Sequence, residues 1–283
     1  MVKWSNRVNG RAQSDAMDIH AYLERIGYHG SLEPTLDTLS AVHRAHLLAI
    51  PYENLDIHLG GYLSLDEGAI YDKLVTRRRG GWCYEMNGLL ARALRALGFD
   101  VTLLSSAVRT QIEGDGSEGD HLVLLVHLDR PYLVDVGFGN GLLEPIPLEA
   151  GAYTQGFLTY HLLRDGDRWF FQNHPYGGPG FVFTLQPRML PYFARRCHEL
   201  QTLPESGFVR TVVCHRFTPE SVVTLRGAVL RTITAQGMND QVVDNGAAYE
   251  QLLNRQFDLR LPDVAPLWEK VWARHLEWVQ ENS

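Results

Sequence analysis

The chain has 283 residues, of which 45% are hydrophobic and 21% charged, with a formal net charge of -7. That is ordinary globular composition, long enough for two or three subdomains to fold together. The negative balance argues against a nucleic-acid partner, and no apolar run approaches the roughly 20 residues that cross a bilayer. Three cysteines, Cys83, Cys197 and Cys214, leave one thiol over in any pairing. No CxxC spacing suggests a metal, so neither disulfide nor metal is expected, and a reducing cytoplasm fits best.

Residues 1–16 are polar, carry no hydrophobic period and lack the apolar stretch of a secretory signal, so they read as an N-terminal extension. From Met17 the pattern turns helical. Ile19, Tyr22, Leu23 and Ile26 share one face before Gly27, and Leu39, Val42, Leu47 and Ile50 repeat this over 38–50 until Pro51 stops it. A third helix is expected over 64–75, with Ser64 and Glu67 at capping-box spacing. A fourth runs from Cys83 to Leu97 and ends at Gly98.

After Gly98 the period shortens. Residues 101–108, 121–128 and 132–139 are rich in Val and Leu and read as strands, the last two paired through a tight turn at 129–131. Residues 159–174 repeat the hairpin around Asp165–Gly166, and the acidic, glycine-rich stretch 113–120 is a surface loop. Strands are expected over 207–217, 221–230 and 231–236, and helices over 248–257 and 266–280.

The chemistry centres on "RRRGGWCYEMN" at 77–87. Gly80 and Gly81 permit a sharp turn into a helix that begins at Cys83. First-turn N–H groups and the helix dipole favour a thiolate there, so a lowered pKa is expected. Such a nucleophile needs a base, and the base an orienting acid. Among twelve histidines, His121 stands where the acidic loop enters an apolar strand, whereas His127 lies at that strand's far end. Asp135, set among Leu133, Val134 and Val136, is a costly place for a carboxylate without a partner. Cys83, His121 and Asp135 therefore form the candidate catalytic triad.

These stretches, "RRGGWCYEMN", "HLVLLV" and "YLVDVGFG", together with "IPYENLDIHLG" at 50–60, closely resemble the arylamine N-acetyltransferases. The resemblance runs in order from about Met17 to beyond residue 220. It implies an α+β fold with a core like that of cysteine proteases and transglutaminases: a helical bundle over 17–98, a β-barrel over 99–205 and an α/β lid over 206–283. It implies ping-pong transfer of acetyl from acetyl-CoA, a co-substrate and not a bound cofactor, through Cys83 to an arylamine, arylhydrazine or N-hydroxyarylamine. By the same resemblance Tyr52, Tyr84, Val108 and Phe138 line the acceptor pocket. Gly137, Gly139 and Ser117 approach CoA, and Arg79 pairs with Glu53. Asp120 stands where the family often has Thr or Ser. An amide synthase, joining an amine and an acyl group within one larger precursor, would keep the same triad, and a non-catalytic binding protein would be expected to lose a member of it.

Overall fold

The computed structural model describes residues 17–108 and 118–282, so the extension 1–16 and Ser117 lie outside the described residues. Helix α1 (Ile19–Ile26) starts where the Asp18 carboxylate accepts from Ala21 N, and it stops at Gly27, whose φ of 67° lets its N–H reach the Leu23 and Glu24 carbonyls. Helix α2 (Leu36–Ala49) starts two residues before the expected 38 because Thr35 caps it. It buries Leu39, Val42 and Leu47 together with His43 and His46.

A two-residue strand β1 (Tyr52–Glu53) and a single turn α3 (Leu55–His58) follow. In α4 (Glu67–Tyr71) the expected Ser64–Glu67 capping box is replaced. The closer carboxylate of Asp66 accepts from Ala69 N at 2.8 Å, and Ser64 Oγ instead accepts from Asp66 N at 3.0 Å. This helix continues as a π-helical turn, Asp72–Thr76. Helix α5 (Cys83–Ala96) has its N-terminus at the nucleophile candidate, as the sequence suggests.

Eight antiparallel strands make the barrel: β2 (Asp100–Ala107), β3 (His121–His127), β4 (Pro131–Val134), β5 (Ile146–Pro147), β6 (Gly151–Gln155), β7 (Leu158–Asp165), β8 (Arg168–Gln172) and β9 (Phe181–Arg188). Their order is β5-β4-β3-β2-β9-β8-β7-β6. The edges nearly meet: Gln155 of β6 accepts from Leu143 N and Glu144 N and donates to Glu144 O, just before β5. The strand expected over 132–139 stops at Val134, so Asp135 sits one residue beyond it.

Helices α6 (Ala194–Thr202) and α7 (Gly207–Arg210) lead to a second sheet. It comprises β10 (Val213–Phe217), β11 (Ser221–Arg226), β12 (Val229–Thr234) and β13 (Gly237–Val242) in the order β1-β10-β11-β12-β13. The strand expected from 207 starts only at Val213, because Ser206 caps α7. The run 221–230 is a hairpin bent at Gly227 (φ 56°), and β13 was not anticipated. Helices α8 (Gly246–Phe257) and α9 (Ala265–Glu281) complete the chain.

One hydrophobic core joins the first helices to the barrel, and a second lies under β10, β11, α8 and α9. The pairing of β1 with β10, Tyr52 with His215 and Glu53 with Cys214, ties the two parts together. All three thiols are free and buried. Among the described residues no helix is long and apolar enough to cross a membrane, and no cluster of His, Cys, Asp or Glu could hold a metal.

Candidate active site

Cys83 is the first residue of α5, and what precedes it is fixed by buried charge. Arg79 Nη2 lies 2.9 Å from Glu53 Oε1 and 2.8 Å from Asp56 Oδ1. Lys73 Nζ bridges Asp56 (2.9 Å) and Glu85 (2.9 Å), and Glu85 Oε2 accepts from Trp82 N at 3.2 Å. The turn itself uses Arg78 in the left-handed region (φ 51°). Gly80 is required because a Cβ there would strike the Pro51 carbonyl oxygen and Glu53.

The barrel supplies the partners. His121 opens β3, opposite Ser106 of β2, and its Nε2 lies 2.8 Å from Asp135 Oδ2. Asp135 Oδ1 accepts from Asn87 Nδ2 and from Gly137 N, both at 2.8 Å. A carboxylate only 2% exposed is thus compensated by three donors. Its backbone is held as well: His43 Nδ1 lies 3.0 Å from Leu143 O, and its Nε2 lies 3.2 Å from Asp135 O and 3.4 Å from Asp135 N. Burial pushes His43 down to about 4, which keeps it neutral in that role.

Asn87, like His43, is a member of this network that sequence reasoning missed. Its Nδ2 also donates to Leu122 O (2.6 Å), and its Oδ1 accepts from Val136 N (3.0 Å), so one amide joins α5, β3 and the Asp135 turn. The signal was present: Asn87 is four residues after Cys83, on the same helical face, between apolar neighbours.

Cys83 and His121 open onto one cavity of ≈ 340 Å³, walled by Tyr52, Val108, Phe138, Tyr176, Phe208 and His215 among others. The Phe138 ring lies 5.3 Å from both His121 and Phe181. Tyr52 faces His215 at 5.5 Å. Tyr84 is not brought to this cavity. As the residue after Cys83 it turns about 100° around α5, and its hydroxyl donates to Gly119 O (2.6 Å) beside Trp82. Gly137 lines the cavity, packed so tightly that a Cβ would lie 2.8 Å from Cys83 Cα. Gly139, with φ 80°, packs on the His215 ring.

The Asp120 backbone reaches the thiol. Cys83 Sγ lies 3.9 Å from its carbonyl oxygen, and its carboxylate accepts from Val108 N at 2.9 Å. Burial pushes the Cys83 thiol up, as do the Asp120 and Asp135 carboxylates, while the Tyr84 N–H pulls it down. Burial and these carboxylates thus act against the lowering expected from the helix start.

Cys83 and His121 in the wall of one cavity, with the histidine's Nε2 held by a carboxylate, are the elements that nucleophilic acyl chemistry requires. The N-acetyltransferase family model matches residues 35–265, and the chain belongs to the arylamine N-acetyltransferases. It is 39% identical over 242 residues to the arylamine N-acetyltransferase, pineal gland isozyme NAT-3, of Gallus gallus, covering 77% of this chain and 83% of that protein. It is 38% identical over 262 residues to the arylamine N-acetyltransferase of Mycolicibacterium smegmatis, covering 88% and 94%. The arylamine N-acetyltransferase of Mycobacterium marinum superposes with a TM-score of 0.83 at 32% identity, over 90% of this chain and 98% of that one. The same enzyme's structure in complex with CoA also gives 0.83, at 31% identity with the same coverage.

Proposed function

We propose that the protein is an acetyl-CoA:arylamine N-acetyltransferase that works by ping-pong transfer through Cys83, with arylamines, arylhydrazines or N-hydroxyarylamines as acceptors. The observation that carries this reading is the 2.8 Å bond from His121 Nε2 to Asp135 Oδ2 in the wall of the cavity that exposes Cys83. The relatives' names and the CoA complex of the Mycobacterium marinum enzyme support it.

With Nε2 committed to Asp135, Nδ1 of His121 takes the thiol proton. The burial that disfavours a lone thiolate leaves charge to form as a thiolate–imidazolium pair, with Asp135 behind the imidazolium. Sulfur adds to the thioester carbonyl, and backbone N–H groups at the start of α5 receive the oxyanion. The bond to CoA sulfur then breaks, CoA leaves with the proton from His121, and acetyl remains on Cys83. An aromatic amine attacks next, His121 accepts its proton, and the Cys83 thiol is restored as the amide departs.

Phe138, Val108 and Tyr52 supply an apolar wall for the aromatic acceptor, Gly137 keeps the cavity floor open, and Arg79 with Glu53 braces the nucleophile's turn. Three unpaired thiols fit a cytoplasmic protein. Intact mass after incubation with acetyl-CoA and no amine tests the reading. One acetyl group should be gained by the wild type and not by Cys83→Ala, then lost when an arylamine is added. A folded protein that gains none refutes it.

A further inference from the structure

The cavity above Cys83 is not isolated. It adjoins a second cavity of ≈ 560 Å³, and the two share Thr224, Arg226 and Arg231 as lining residues. The sheet register explains the common wall. His215, Thr224, Arg231 and Asp240 are successive cross-strand partners, so their side chains share one face, and Arg226 follows Thr224 by two residues on that same face. Adjacent strands are about 4.8 Å apart. Arg226 on β11 therefore stands one strand beyond His215, which lines the Cys83 cavity. The outer cavity adds Arg210 from α7 and Arg274 and Trp278 from α9.

In a chain of net charge -7 this is a local concentration of guanidinium groups, and they are not equivalent. Arg231 is held by Asp240 through two bonds of 2.7 Å, and Arg274 by Glu277 at 2.7 Å. Neither the Arg210 nor the Arg226 guanidinium has a hydrogen-bond or ion-pair partner among the described residues. Both are exposed, so they are hydrated and available to an incoming anion.

We propose that Arg210 and Arg226 form an anion-recognition element that takes the charged part of a substrate whose reacting end lies at Cys83. The proposal rests on the acyl-transfer reading above. A guanidinium pairs with an oxyanion through two parallel N–H donors, whether that oxyanion is a phosphate or a carboxylate. The anion has two possible sources: the phosphates of an acyl-CoA donor, remote from its thioester, or a carboxylate on the aromatic acceptor. Placement on the wall shared by the two cavities suits a charge several bonds from the reacting carbon. It also leaves the apolar wall around Phe138 to the aromatic ring.

The test uses the full chain as wild type, Arg226→Gln, Arg210→Gln and the double variant. Each is assayed with acetyl-CoA and with p-nitrophenyl acetate, a donor without phosphates. Acceptors are a neutral aniline and an aminobenzoate. The preference for acetyl-CoA over p-nitrophenyl acetate, as a ratio of kcat/KM values, should fall roughly five- to tenfold per arginine, through KM. Added salt should weaken acetyl-CoA binding more in the wild type than in the double variant. A fall instead in the preference for aminobenzoate over aniline would keep the anion site and assign it to the acceptor. Ratios that do not change, or a parallel loss with every substrate, would overturn the proposal. A wild type inert toward both donors would overturn the acyl-transfer reading, and this assignment with it.

Discussion

Replacing Asp135 with asparagine separates geometry from charge. The carboxylate takes three donors: His121 Nε2, Asn87 Nδ2 and Gly137 N, each at 2.8 Å. An asparagine in the same place keeps Oδ1 for Asn87 and Gly137, so the turn and the fold should survive at a cost of about 1–3 kcal/mol. Its Nδ2 then faces His121 with a hydrogen, and the imidazole must present Nε2 as an acceptor. The ring proton moves to Nδ1, the nitrogen that has to receive the Cys83 proton, and the imidazolium loses its counter-charge. In hydrolases with an analogous triad this change slows the chemical step about 10⁴-fold, or about 5 kcal/mol of barrier. Quench-flow intact mass should show acetyl-enzyme forming 10³- to 10⁴-fold more slowly in Asp135→Asn (by that analogy), with the circular-dichroism spectrum unchanged. A variant within tenfold of the wild-type rate would refute this account of the histidine.

Other outcomes follow from the same geometry. His121→Gln should slow iodoacetamide alkylation of Cys83 at pH 7 by roughly 10²-fold, since burial then acts on an unassisted thiol; equal rates would show that the helix start suffices. Asn87→Leu strands Val136 N and removes one donor from Asp135, so denaturant unfolding should register a loss of about 2–4 kcal/mol. Gly137→Ala should lose both stability and acetylation, because its Cβ would meet Asn87 Nδ2 at 2.5 Å; a crystal structure of an active variant would expose the error. The pH dependence has a definite sign. Burial pushes His43, His46 and His215 down from 6.5 to about 4, 3 and 3. Their folded pKa values lie below the unfolded ones, so their contribution is present above pH 6.5 and is lost as the pH falls toward 4 and 3. Urea titrations between pH 7.5 and 4.5 should show this decline, and it should be shallower in His46→Gln; parallel slopes would remove His46 from the account.

How much of this was legible in the sequence depends on how local each cause is. A glycine turn running into a helix placed Cys83, and the entry of an acidic loop into the apolar run of β3 placed His121 on its rim. A carboxylate among valines and leucines marked Asp135. Each is written in fewer than ten consecutive residues; the needs of a nucleophile for a base, and of the base for an acid, linked them, and the resemblance to a family agreed. The failures are of another kind. The strand through 139 was overcalled because composition does not register that Asp135 N turns away to His43, 92 residues distant in sequence. The hairpin at Gly227 was read through as one strand, although Arg226 and Gly227 interrupt the apolar residues there. Tyr84 was set in the pocket by the family resemblance, although one helical step past Cys83 rotates it toward Gly119.

The thiol is the instructive case. Helix position predicted a thiolate, yet burial and the Asp120 and Asp135 carboxylates act the other way. What can reverse that balance is a proton acceptor held in register by β3, the Asp135 turn and Asn87 of the nucleophile's own helix. Activation then belongs to the assembled interface between α5 and the barrel, so a substitution at Asn87 or Gly137, neither of which exchanges a proton, should be felt at the sulfur. The same logic extends to the second sheet. The pairing of β1 with β10 joins residues more than 150 positions apart and sets Tyr52 and His215 face to face across the cavity. No local pattern encodes that approach, and it is this contact that carries Arg226 to the wall of the cysteine's cavity.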